Sequence, residues 1–242
     1  MQLTGKTILL TGGTDGIGRE MALQLKAKGA TVILTGRNPN RIAAMQTLGF
    51  EVIAADLSAE AGIDCVVEAV AGTPLDILIN NAGMGSSHDF RQGRPDLDVD
   101  DNSIYLNLNA PIHLITRLMD TLKARPEAMI VNVTSGLAIA PSSGAPVYCA
   151  TKAALRSYTL ALRAQLADTH IHVLEALPPM VETKMTDGMN GAKMAPTECA
   201  RQIVSAMERS ANEANIGIVK ALQVMNSISP ALVRKVMLSI GT

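Results

Sequence analysis

"TGGTDGIG", Thr11 to Gly18, follows directly on the apolar run "TILL", Thr7 to Leu10. A short aliphatic run that ends in closely spaced glycines reads as a strand leading into a tight turn. The stretch over 17–28 then places Met21, Ala22 and Leu25 on one face and stops at Gly29. That spacing predicts an amphipathic helix closed by Gly29. Gly12, Gly16 and Gly18 therefore stand at a strand-to-helix junction. Gly12 permits the sharp turn, Gly16 lets a ligand approach the backbone, and Gly18 lets helix and strand pack closely. The helix N-terminus offers N–H donors and a positive dipole end, which suits an anionic group. A tight turn without a ligand would use the same glycines, so the residues beyond the turn must decide between the two.

The pattern repeats along the chain. Continuous Val/Ile/Leu-rich runs predict strands at 6–12, 31–36, 51–56, 76–83, 128–135 and 171–177. Continuous rather than alternating apolar runs suit parallel strands covered on both faces. Helices are predicted over 17–28, 38–49, 59–70, 99–122, 147–167 and 196–210, the second capped by Asn38 with Pro39 at its first position. This alternation predicts an α/β, Rossmann-like fold: a doubly wound parallel sheet of about seven strands with helices on both faces.

The chain has 242 residues, is 48% hydrophobic and contains no tract that would divide it, so one domain over 1–242 is expected. A net charge of −1, no basic stripe and an aromatic content of 2% argue against nucleic acid. Cys65, Cys149 and Cys199 form no CxxC pair, so neither a disulfide framework nor a zinc site is expected. His88, His113, His170 and His172 do not cluster with carboxylates, and no metal is predicted. No apolar stretch reaches membrane-spanning length and the N-terminus does not read as a signal peptide, so a cytoplasmic location without stable membrane insertion is expected.

The second predicted strand ends in "LTGRN", with Arg37 about 20 residues beyond the glycine turn. In dinucleotide-binding folds an acidic residue here takes the ribose 2′-OH, whereas an arginine accommodates a 2′-phosphate. Arg37 therefore predicts NADP(H) in preference to NAD(H). A charged hydrogen bond to phosphate contributes about 1.5–3 kcal/mol, a tenfold to hundredfold preference. Arg41 is a further candidate for assistance.

Of the three tyrosines, Tyr105, Tyr148 and Tyr158, only Tyr148 has a lysine four residues on, in "YCATK". On a helix Tyr148 and Lys152 share a face. An ammonium beside a phenol stabilises phenolate and makes the pair a usable acid and base. Ser135 lies at the end of a predicted parallel strand, where open α/β sheets form their sites.

Taken together, these residues resemble the short-chain dehydrogenase/reductase family over about 6–217. The likeness rests on "TGGTDGIG", "DL" at Asp56 and Leu57, "NNAG" ending at Gly83, Asn107 in "YLNLNAPIHL", Ser135 and "YCATK". The resemblance implies that Tyr148 gives a proton to a substrate carbonyl while hydride arrives from the nicotinamide, with Ser135 bonding the same oxygen. It implies that Lys152 lowers the Tyr148 pKa and holds the nicotinamide ribose, and that Asn107 holds a relay water. The turn residues Gly12, Thr14, Asp15, Gly16, Ile17 and Gly18 would hold the nucleotide, with Asp56 and Leu57 at the adenine. Asn81, Ala82 and Gly83 would line it, Asn80 would brace the strands, and Pro178, Val181 and Thr183 would meet the carboxamide. The implied function is interconversion of a small carbonyl compound and its alcohol, in a homodimer or homotetramer.

Two features depart from the family pattern. Pro179 stands where glycine is usual in "PPMVET", removing an N–H and fixing φ. The C-terminal part instead resembles a subgroup named for D-alanyl esterification of lipoteichoic acid. A role in cell-envelope polymer modification, or as a non-catalytic NADP(H)-binding regulator or scaffold, stands as the alternative. Ile228, Leu232, Val233, Val236, Met237 and Ile240 predict a helical tail over 227–242, and the glycine- and methionine-containing stretch 184–196 predicts a substrate loop that closes as a lid.

Overall fold

The computed structural model describes residues 1–239. Seven strands form one sheet: β1 (Thr7–Leu10), β2 (Thr31–Gly36), β3 (Glu51–Ala54), β4 (Ile77–Asn80), β5 (Ala128–Val133), β6 (Ile171–Leu177) and β7 (Glu213–Asn215). Their order is β3-β2-β1-β4-β5-β6-β7 and every pairing is parallel. The order reverses between β1 and β4, the point at which such sheets open a crevice beyond their carboxyl ends.

Both faces of the sheet are covered, which explains the unbroken apolar runs. In β1, Ile8 and Leu10 enter one core layer and Leu9 enters the other, and all are fully buried. The first layer includes Met21 and Leu25 of α1 (Gly16–Ala27) and Ile203 and Met207 of α7 (Pro196–Glu208). The second includes Ile63 and Val66 of α3 (Glu60–Ala69) and Leu114 and Leu118 of α5 (Ala110–Lys123). Asn38 caps α2 (Pro39–Thr47) by accepting the Arg41 N–H. The long helix α6 (Pro146–Gln165) packs against β6 and the turn that follows β5.

Three features differ from the sequence expectation. The helix expected over 99–122 is α4 (Leu97–Ile104), a π turn at Tyr105–Asn109 and then α5. Pro111 has no N–H to donate to the Asn107 carbonyl, and removing that bond favours a local widening. Strand β7 carries no apolar run that would mark it; its register against β6 pairs Glu175 with Glu213. The tail is two helices, α8 (Val219–Ile228) and α9 (Pro230–Ser239). Ser229 adopts a non-helical φ of −144° and ψ of 83° between them, because the residue before proline is pushed out of the α region. Val233 is buried and Ile228, Leu232 and Val236 are exposed, while Ile240 lies outside the described residues. No helix among the described residues is long and apolar enough to cross a membrane.

Candidate active site

The glycine turn is shaped by close contacts. A Cβ on Gly18 would lie 2.2 Å from the Gly12 carbonyl oxygen, and one on Gly12 would lie 2.9 Å from Ala82 Cα. Gly12 and Gly16 also have positive φ, at 64° and 52°. These positions admit little but glycine. Threonine and asparagine side chains pin the turn. Thr35 Oγ1 accepts the Gly12 N–H, and Thr11 Oγ1 accepts the N–H groups of Asn81 and Ala82. Asn81 Nδ2 donates to the Thr11 and Gly12 carbonyls. The Asn81 side chain therefore fastens the turn through its Nδ2.

At the far end of the turn, Arg37 and Asp56 form an ion pair at 3.2 Å, with both side chains about half exposed or more. Burial works upward on the Asp56 carboxyl, but hydrogen bonds from Ser58 and the Arg37 guanidinium outweigh it and lower its pKa. Arg41 pairs with Asp15 at 2.8 Å. Leu57 is buried in the second core layer. Gly36 packs against the Thr14 side chain: a Cβ there would lie 2.5 Å from Thr14 Cγ2, so a side chain would displace Thr14.

The catalytic candidates meet where β4 and β5 end. Ser135 follows β5; its hydroxyl accepts the Leu137 N–H at 3.1 Å and stands near enough to the Tyr148 phenol to draw its pKa down. Lys152, one helical turn beyond Tyr148 on α6, is buried; its Nζ lies 5.8 Å from the Tyr148 ring centroid and donates to the Val133 carbonyl at 2.9 Å. Burial pushes the phenol up to about 12, against the downward pull of Ser135. Burial pushes the Lys152 ammonium down to about 8. Burial is the largest influence on the phenol, with Ser135 pulling against it, and the Lys152 ammonium donates to backbone.

The π turn places Asn107 in this cluster, fully buried. Its Oδ1 accepts the Met84 N–H, and its Nδ2 donates to the Met84 carbonyl and to the hydroxyls of Ser103 and Thr151. A Cβ on Gly83 would lie 3.0 Å from Asn107 Oδ1 and 3.5 Å from Lys152 Nζ. Asn80 and Asn132 pair across β4 and β5 at 2.8 Å.

After β6, the Pro178 carbonyl accepts the Gly136 N–H and so joins this segment to the Ser135 turn. Thr183 lies over the glycine turn, its Cγ2 3.0 Å from where a Gly16 Cβ would stand. Val181 is buried in the core. Pro179 packs beside Gly217. The loop that follows returns to its own base: Met194 N–H donates to the Met180 carbonyl and Glu182 N–H to the Met194 carbonyl. Its tip exposes Met185 and Met189.

Sequence reading missed Ser103 and Thr151: Ser103 stands one helical turn before Asn107, whereas Thr151 lies 44 residues beyond it on α6 and leaves no spacing signal. It also missed Glu175, Thr134 and Arg156 behind the site. A single acidic residue inside the apolar run "IHVLEAL" was the available signal, since a buried charge requires a partner. Among the described residues no group of three or more His, Cys, Asp or Glu is placed to hold a metal.

The residues fit a dinucleotide: a side-chain-free turn meets a helix N-terminus, and a cation and a carboxylate stand at one end with a Ser/Tyr/Lys cluster at the other. The profile described as short chain dehydrogenase matches residues 6–193. The chain is 45% identical over 187 residues to "Uncharacterized oxidoreductase DltE" of Bacillus subtilis (strain 168), covering 76% of this chain and 74% of that one. A short chain dehydrogenase from Burkholderia cenocepacia J2315 in complex with NADP superposes with a TM-score of 0.86 at 22% identity, covering 98% and 99% of the two chains. A Burkholderia phymatum short chain dehydrogenase/reductase in complex with NAD gives 0.79 at 20%, covering 94% and 96%. The chain belongs to the short-chain dehydrogenase family of oxidoreductases.

Proposed function

We propose that this chain is an NADP(H)-dependent oxidoreductase, a single domain that interconverts a small carbonyl compound and its alcohol with Tyr148 as general acid and base. The observation that carries the reading is the convergence of Ser135, Tyr148, Lys152 and Asn107 at the ends of β4 and β5, beside the glycine turn. A nicotinamide nucleotide, when bound, supplies or accepts the hydride.

The chain's own residues do the rest. The backbone of Gly12 to Gly18, with the Thr14 and Asp15 side chains beside it, would hold the pyrophosphate at the α1 N-terminus. Asp56 and Leu57 would border the adenine. The backbone of Asn81, Ala82 and Gly83 would line the ribose side, and Pro178, Val181 and Thr183 the carboxamide. Lys152 would hold ribose hydroxyls through its ammonium. Asn107 would keep a proton path open behind Lys152. Ser135 would hydrogen-bond the substrate oxygen and Tyr148 would give that oxygen its proton. A phenol pushed up to about 12 is protonated at neutral pH, the form a proton donor needs, and is a weaker acid than a free phenol.

Arg37 supports the 2′-phosphate preference. Its pair with Asp56 is exposed, and such pairs contribute about 0–1 kcal/mol, less than the roughly 1.5–3 kcal/mol of a charged bond to phosphate. A cytoplasmic homodimer or homotetramer is the setting we propose. A second reading, a nucleotide-binding scaffold acting through α8 and α9, is favoured by the exposed Val224, Ile228 and Leu232 there.

The test is oxidation of NADPH and NADH over a panel of aldehydes, ketones and 3-oxoacyl compounds, by wild type and Tyr148→Phe. The reductase reading predicts turnover with NADPH that falls by about 10²–10⁴ in the variant while NADPH binding is kept. Tight NADPH binding with no turnover on any compound supports the scaffold.

A further inference from the structure

We propose that Thr134, Glu175 and Arg156 form a positioning network that sets Ser135 in place behind the reacting carbonyl. Glu175 is fully buried in β6. Its Oε1 accepts the Thr134 hydroxyl at 2.7 Å, and its Oε2 accepts Arg156 Nη1 at 2.6 Å. Arg156 Nη2 reaches Glu213 Oε1 on β7 at 3.3 Å. A buried ion pair of this kind adds little net stability over an apolar replacement, because desolvation offsets its attraction. Removing either partner alone is costly, so the pair fixes one arrangement of the elements that carry it.

Those elements are the ones that carry the catalytic candidates. Thr134 stands between Val133, whose carbonyl takes the Lys152 ammonium, and Ser135, whose hydroxyl meets Tyr148. Arg156 follows Lys152 by one helical turn and Tyr148 by two, so all three lie along one stripe of α6. Thr134 is also held through its N–H on the Ala176 carbonyl at 2.8 Å. The network thus joins the end of β5 to α6 directly behind both contacts. Arg163, further along α6, donates to the carbonyls of Val173 and Asn212. It fastens the same helix without touching Thr134, and so separates general fastening from positioning.

The inference rests on the roles proposed for Ser135 and Tyr148. Thr134→Val, Arg156→Met and Glu175→Gln are each made in the wild-type and Ser135→Ala backgrounds, with NADPH and the best carbonyl substrate of the panel. Thr134→Val is expected to lower kcat about tenfold, with KM for NADPH changed by less than about twofold. In the Ser135→Ala background the same substitution should cost less than about twofold more, because its effect passes through Ser135. Arg163→Met should lower the melting temperature and leave kcat in place. Equal losses in both backgrounds, or no loss from Thr134→Val, overturn the proposal. If Ser135→Ala and Tyr148→Phe themselves leave turnover intact, the functional reading fails instead. Where Glu175→Gln does not fold, Arg156→Lys replaces it. Where turnover is too low to follow, hydrogen exchange at the amides of 134–139 is the readout. It should quicken in Thr134→Val and Arg156→Met but not in Arg163→Met, and unchanged exchange in the first two overturns the proposal.

Discussion

Where β1, β4 and β5 end, polar side chains are buried or half-buried and partnered within the chain: Asn81 on the glycine turn, Asn107 on Met84, Lys152 on Val133, Glu175 on Thr134 and Arg156. On α8 and α9 the reverse holds. Val219 and Val233 anchor the helices, while Ile218, Val224, Met225, Ile228 and Leu232 stand largely in the open. The first region is held by directional bonds that tolerate little displacement. The second is held by a few apolar anchors and leaves its outer face indifferent to the fold. Specific chemistry belongs to the former, and substitution should expose the contrast directly.

The largest effect expected beyond Tyr148 itself concerns the buried ammonium. Lys152 titrates near 10.5 in the unfolded chain and at about 8 in the fold. Between those values the unfolded chain binds the extra proton, so fold stability rises as pH rises from about 8 to 10. The rise should be about 2–3 kcal/mol in denaturant titrations and should be absent in Lys152→Met. The raised Tyr148 acts in the opposite sense, but only above about pH 10, where the unfolded phenol ionises. Arg37→Ala should weaken NADPH by about tenfold to hundredfold in calorimetry and leave NADH within about twofold. Gly18→Ala brings a methyl against the Gly12 carbonyl and should cost about 1–3 kcal/mol of stability, read by denaturant midpoint, with NADPH binding lost alongside. Ile228→Gln and Leu232→Gln should change monomer stability by no more than about 0.5 kcal/mol. A larger loss would mean that the outer face of the tail is covered in solution, and the contrast between the regions would narrow.

The elements that were legible in the sequence are those with local causes. β2 and β6 keep the bounds their apolar runs give, and α2 starts at its Asn38–Pro39 signal. The glycine turn was legible because φ and close packing admit little but glycine at Gly12 and Gly18. What escaped has causes spread along the chain or across it. The π turn follows from Pro111 acting on Asn107. β7 is defined by the neighbour it pairs with rather than by its own residues. Pro230 was in plain view, but the apolar stripe running across it masked the break between α8 and α9. The bond of Glu175 to Thr134 links residues 41 positions apart and leaves no spacing signature. The raised Tyr148 phenol escaped for a similar reason, since burial is a property of the whole fold.

The most direct test of the central claim follows the transferred atoms. NADPH carrying deuterium at both positions of nicotinamide C4 is supplied with a carbonyl substrate that turns over, and the product alcohol is weighed by mass spectrometry in wild type and Tyr148→Phe. The account predicts one deuterium on the carbinol carbon from wild type, and no alcohol above background from the variant although NADPH still binds. Alcohol formed equally well by Tyr148→Phe, or formed without deuterium, would contradict it.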